Sequence, residues 1–253
     1  MWGLEQPNPG DPVAGLRAAA AMARGARLAG LTLLGTLTGL RARELDRSAR
    51  RDIAATLRRE GLVCAGIDLP VPPSHFADPA HVDRALAATR EALSLAADLA
   101  KLTDLRARPV VAILLPRPAP QGAVAALEQA AEHAGCAAAD LSWPFEGAKE
   151  DERGPAPGLG VALDPAAILM AGADPAAAVH AVGARLVQAR WSDAASGSRI
   201  AVGAGRLDAL TYRVAVELAR PAGMSVADVR GLEGDAVAAA LGGIVSATAP
   251  GPW

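Results

Sequence analysis

Histidine and cysteine, the residues that most often announce a metal or redox site, are scarce in this 253-residue sequence. Only His75, His81, His133 and His180 occur, which excludes a histidine-rich metal cluster. The two cysteines, Cys64 and Cys136, lie far apart inside apolar runs and suit buried thiols rather than a disulfide framework or a zinc knuckle. Charge of one sign is missing as well. The 25 basic and 27 acidic residues are mixed along the chain and leave a net charge of −2. That offers no electrostatic footprint for nucleic acid or an anionic membrane. Residues 1–10 lack the basic flank and apolar core of a secretory signal. The most apolar early run, 28–40, is broken by glycine and threonine and is shorter than the roughly 18 residues of a membrane span. A cytoplasmic location is therefore expected. Absent, too, is the Gly-rich turn that follows the first strand of a doubly wound dinucleotide-binding sheet.

What is present is an alternation. Apolar runs that read as strands fall at 26–34, 62–69, 109–115, 136–142, 159–164, 186–192 and 224–229, the clearest being PVVAILLP (109–116). Amphipathic helices separate them. Asp11-Pro12, Asp78-Pro79 and Asp174-Pro175 each carry a helix-start signal, with Asp as N-cap and Pro at the first helical position. Asp46 or Ser48 opens another helix that buries Ile53 and Leu57, one more runs from about Ala209 to Arg220, and a short last one ends near Gly242. The prolines of PVPPSHF keep that segment a loop. Strands alternating with helices over short connections imply parallel βαβ units. The length matches one (β/α)8 barrel, which needs about 250 residues. An eighth strand has only residues 1–10 to come from. The expectation is thus a single α/β domain over 1–253, a (β/α)8 TIM barrel with its first strand short or missing.

The stretch Arg185 to Asp208 organises the candidate site: a strand, a long polar loop from Asp193 through Gly203 and Gly205, then a helix. In such barrels the chemistry sits where strands end and these loops begin. Asp164 precedes a proline and serves equally as a helix cap or as a site acid. Asp193 reads as a ligand-facing acid or as the start of an Asx turn. Asp228, within an apolar strand, needs a partner if buried, and Arg190 or Arg230 can supply it. His75 stands at the mouth face or on the surface, and Trp143 and Trp191 either stack on a sugar face or close the core. The arginines at 41, 43, 50, 51, 58 and 59 read as a solvated face.

The segments VALDPAAILMAGADPAAAV (161–179), QARWSDAASGSRIAVGAGRLD (188–208) and SVADVRG (225–231) resemble the sugar phosphate isomerase/epimerase family of xylose-isomerase-like barrels. That family shows an Asp ending one strand, a His-x-x-Asp on the next, a Gly-x-Gly-x-Leu-Asp loop and a closing acid. Asp164, Asp193, Gly203, Gly205, Leu207, Asp208 and Asp228 follow that order. The resemblance implies isomerisation or epimerisation of a small carbohydrate or polyol, with a divalent metal held by Glu, Asp, His and Glu. Asp164 matches the Asp ligand, Asp228 replaces the last Glu, and Asp140 or Glu146 stands nearest the first. The histidine has become Arg190, which stays protonated and cannot ligate a cation.

Asp164, Arg190 and Asp228 are accordingly the expected catalytic group, with His75, Trp143, Trp191, Asp193, Gly203 and Gly205 around the substrate. The expected metal ligands, weak or lost, are Asp140, Glu146, Asp164 and Asp228, an all-oxygen set suited to Mg²⁺ or Mn²⁺. Arg190 opposes even those ions. Like unit charges about 4 Å apart repel by roughly 4 kcal/mol at a surface-like dielectric, which weakens binding nearly a thousandfold. The competing expectation is a non-catalytic barrel that binds a small ligand or a partner after loss of its metal site. An apurinic endonuclease fits poorly, since that chemistry needs many histidine and acid ligands and a basic groove.

Overall fold

The computed structural model describes residues 12–141 and 159–248. Seven strands, β1 (Gly30–Leu34), β2 (Val63–Leu69), β3 (Val110–Ile113), β4 (Ala137–Asp140), β5 (Gly160–Leu163), β6 (Leu186–Trp191) and β9 (Val226–Ala227), form one sheet in that order. Every pairing is parallel. The strands curl into a nearly closed TIM barrel wrapped by helices, with all seven expected strands present. Among the described residues no strand joins β9 back to β1. Residues 1–10, the expected source of an eighth, lie outside the described residues.

Side-chain alternation divides the core into two layers. Val110, Ala112, Ala137, Ala139 and Ala162 pack together inside the barrel. Ile67, Leu69, Val111 and Ile113 face outward, against Leu93 and Leu99 of α4 (Val82–Leu102) and Leu127 of α5 (Gln121–Ala134). Small alanines on the inner face leave room that larger side chains must fill. Arg190 is the largest fully buried side chain among the described residues and takes part of that space.

Helix starts follow their caps. α1 (Pro12–Gly25) and α2 (Arg47–Arg59) stand where expected, and Asp46 accepts from the Ala49 N–H at 2.8 Å. α6 (Pro165–Met170) and α7 (Pro175–Val182) each carry proline at the first position, behind Asp164 and Asp174. Asp78 departs from this rule. It accepts from the Ala80 N–H at 2.9 Å and pairs with His81, closing a turn, so α4 starts four residues later at Val82. PVPPSHF is not all loop, since Ser74–Ala77 form a one-turn helix, α3, that buries Phe76.

The polar loop after β6 is in part a hairpin, β7 (Asp193–Ala195) and β8 (Ser198–Ile200). Ser196 and Gly197 make its turn with positive φ at both positions, the twist that tight hairpins favour. α8 (Ala209–Ala219) follows, capped by Asp208. The last helix, α9 (Asp235–Thr248), runs past Gly242 instead of ending there. Here glycine serves close packing: a Cβ at Gly243 would lie 2.2 Å from the Val202 carbonyl oxygen.

Candidate functional site

Four strand ends meet at the barrel mouth. Asp68 is the penultimate residue of β2, Asp164 follows β5, Arg190 and Ser192 flank the end of β6, and Asp228 follows β9. All five are buried. Because β6 alternates, Gln188 and Arg190 point inward while Ala189 and Trp191 face the helices.

Arg190 sits at the centre. Its Nη2 donates to Asp68 Oδ1 at 2.5 Å and to Gln188 Oε1 at 3.3 Å. Its Nη1 donates to Asp68 Oδ2 at 2.9 Å and to Asp228 Oδ2 at 3.3 Å. Burial by itself would lower the arginine's pKa, but Asp68 and Asp228 outweigh it and raise the value. From behind, Tyr212 of α8 donates its hydroxyl to the Arg190 carbonyl at 3.0 Å. Burial holds that phenol protonated.

Asp228 accepts from Arg230 Nε at 2.8 and 2.9 Å and from the Arg230 backbone N–H at 3.1 Å. Arg199 of β8 approaches the same carboxylate at 3.8 Å. Burial would raise the Asp228 pKa, yet Arg230 and Arg190 together drive it far below the usual carboxylate range. Asp164 accepts from Ser192 Oγ at 2.8 Å and Arg230 Nη2 at 2.7 Å, and it also pairs with Arg199. Its cap contact to the Ala167 N–H is long, at 3.5 Å, and the same carboxylate both caps α6 and joins the ion-pair cluster. Three aspartates thus face three arginines, and the cluster is formally neutral.

The expected trio of Asp164, Arg190 and Asp228 is brought together, and both arginines foreseen for Asp228 hold it. Other candidates stand elsewhere. Trp191 points away from the mouth, edge-on to Tyr212 with ring centroids 5.2 Å apart, because Arg190 takes the inward position beside it. Asp140 shares the outer face of Ala138, opposite the inner alanines, and pairs with Arg117. His75 lies on α3 and stacks on His81 with centroids 4.6 Å apart. Trp143 and Glu146 lie outside the described residues.

Asp193 is wholly engaged by backbone. It accepts from Ala194 at 2.8 Å, Leu207 at 2.9 Å, Gly205 at 3.0 Å and Gly203 at 3.1 Å. It therefore organises the loop and is not open to a ligand. Gly203 adopts φ +90°, and a Cβ at Gly205 would fall 2.3 Å from Asp193 Oδ1. Both glycines exist for this loop. Asp68 and Arg199 are the members not singled out from the sequence. Asp68 carried the same signal as Asp228, a lone acid ending an apolar strand, whereas Arg199 became visible only with the hairpin.

A divalent cation would need oxygen atoms free of competing charge. At Asp228 three guanidiniums stand around the carboxylate, and at Asp164 two do. No three His, Cys, Asp or Glu side chains form a metal-holding group among the described residues. The described residues do not fit the metal that the resemblance implies.

No protein-family model matches the chain, and no curated protein does. Solved structures match over nearly its whole length. A xylose isomerase domain protein from Alicyclobacillus acidocaldarius is 19% identical, with 96% of each chain covered and a TM-score of 0.62. A D-allulose 3-epimerase from Methylomonas sp., solved with D-allulose, is 19% identical over 96% of this chain and 92% of its own, with a TM-score of 0.67. A xylose isomerase-like TIM barrel protein from Mycobacterium smegmatis, in complex with magnesium, is 14% identical over 95% and 92%, with a TM-score of 0.64. The likeness is one of fold: the chain has a TIM-barrel fold similar to that of these xylose isomerase-like proteins.

Proposed function

We propose that this barrel binds a small, neutral carbohydrate or polyol at its mouth without a metal, and does not carry out metal-dependent isomerisation. The observation that carries the reading is the placement of Arg190, Arg199 and Arg230 around Asp68, Asp164 and Asp228. Metal-assisted isomerisation needs a cation that polarises a carbonyl, and it needs acids free to move protons. Here Asp228 is held ionised by Arg230 and Arg190, while Asp68 and Asp164 are tied up in ion pairs with fixed guanidiniums. Carboxylates accepting from hydroxyls and arginines donating to them still suit a polyhydroxylated ligand. The neutral balance of the cluster favours an uncharged sugar over a sugar phosphate. The fold-level likeness to a barrel solved with D-allulose supports the ligand class.

The test is a pair of titrations on the intact protein. Calorimetry with Mn²⁺ should show no tight stoichiometric binding, and D-allulose and D-fructose should bind saturably but stay unconverted with Mn²⁺ present. Stoichiometric Mn²⁺ binding accompanied by ketose interconversion would overturn the proposal and establish an epimerase.

A further inference from the structure

Among the described residues, β9 and β1 end the sheet without pairing with one another. A cavity of about 120 Å³ lies there, between the facing edges of the two strands and beneath α1 and α9. Its wall is largely apolar, with Met22, Leu28, Met224 and Leu241, while Thr32, Asp68, Arg190 and Asp228 supply its polar lining. Two groups lining it have hydrogen-bonding capacity unused. The buried Thr32 Oγ1 and the buried Nε of Arg190 have no hydrogen-bond partner among the described residues, and Arg190 is 1% exposed. Buried donors without partners are costly and rare.

We propose that this seam is a lateral binding site for a short aliphatic alcohol, with its hydroxyl toward Thr32 and Arg190 and its chain against the methionines. The site goes beyond the mouth reading, with which it shares Asp68, Arg190 and Asp228, by adding the apolar wall between α1 and α9. An engineered apolar cavity of about 150 Å³ accepts benzene, so this one accommodates a chain of about four or five carbons. A neutral hydroxyl suits the polar lining, because it can accept from Arg190 Nε and donate to Thr32 without disturbing the charge balance. A ligand of about six heavy atoms is expected to bind with a dissociation constant on the order of 1 mM.

The methionines make the test specific. With ¹³C-methyl-labelled methionine, titration with 1-pentanol should shift the Met22 and Met224 resonances saturably. Met170, which lies outside the cavity and is 42% exposed, should stay still. Thr32→Val keeps the volume and removes the hydroxyl, and should weaken binding about fivefold to tenfold. Ala23→Leu on α1 should block it, and a folded Thr32→Val variant keeps the question open to measurement if Ala23→Leu does not fold. Unmoved Met22 and Met224, or equal shifts at Met170, would overturn the proposal. Shifts seen only after removal of residues 1–10 would overturn it too, since the seam then belongs to the chain's own N-terminal segment.

Discussion

Arg190 grips both carboxylate oxygens of Asp68, at 2.5 and 2.9 Å, from a strand four places away in the sheet. The two residues are 122 apart in the chain. The contact spans the barrel interior and places a fixed positive charge among Asp68, Asp164 and Asp228. Planar, bidentate pairing is the geometry in which an arginine is hardest to replace.

Removing Arg190 should therefore be severe. Arg190→Met leaves Asp68 and Asp228 buried with less compensating charge, and breaking a buried pair from one side costs about 3–5 kcal/mol. Replacing both partners, as in Arg190→Met with Asp68→Leu, should cost less than the single change, because Asp68 is no longer stranded and Asp228 keeps Arg230. Urea denaturation of the three proteins tests this. A loss under about 1 kcal/mol for Arg190→Met would show that solvent compensates the carboxylates.

The Asp193 loop should fail locally. Asp193→Ala strips the acceptor from four backbone N–H groups, and Gly205→Val drives a side chain into the Asp193 carboxylate. Hydrogen exchange at 203–207 should accelerate in both variants while the protection of β2 and β3 is retained. If Gly205→Val unfolds the whole protein, the glycine is a core packing position instead.

These two groups show where sequence reading succeeds and where it stops. The seven strands were legible because parallel strands buried on both faces read as apolar runs, and PVVAILLP needed no tertiary information. The roles of Gly203 and Gly205 were legible because a polar loop with spaced glycines implies close backbone approach. Trp191 was misplaced because the inward or outward parity of a strand is set by its neighbours, and Arg190 fixed that parity. Asp68 escaped notice because its partner lies 122 residues on. The turn at Asp78 competes with a helix cap through His81, a local contact that the Asp-Pro pair does not reveal.

Both thiols should be silent in the native protein. Burial pushes Cys64 up to about 12 and Cys136 up to about 11, so almost no thiolate exists near neutrality. Titration with a chromogenic disulfide at pH 8 should detect neither, and both should react once the chain is unfolded in guanidinium. A fast-reacting native thiol would mean that the packing around one of them opens readily.

The last expectation concerns acid. Asp228 has a folded pKa far below the unfolded aspartate value of about 3.9, because Arg230 and Arg190 favour its charged form. A depressed pKa contributes stability that is fully present above the unfolded value and is lost as pH falls toward the folded one. Arg190 and Arg230 shift upward, so their side of the pairing stays complete at every pH below their ordinary range. Only the carboxylate side titrates under accessible conditions. Stability should hold from neutrality to about pH 5 and then fall, with Asp228 contributing up to about 1.4 kcal/mol per pH unit below 4. Asp228→Asn removes that titration. It should lower stability at pH 7 but flatten the decline between pH 4 and 3. Urea midpoints for both proteins across pH 3 to 7 measure the difference directly. Parallel curves would mean that Asp228 binds its proton equally in the folded and unfolded chain, and that the arginines do not hold it ionised.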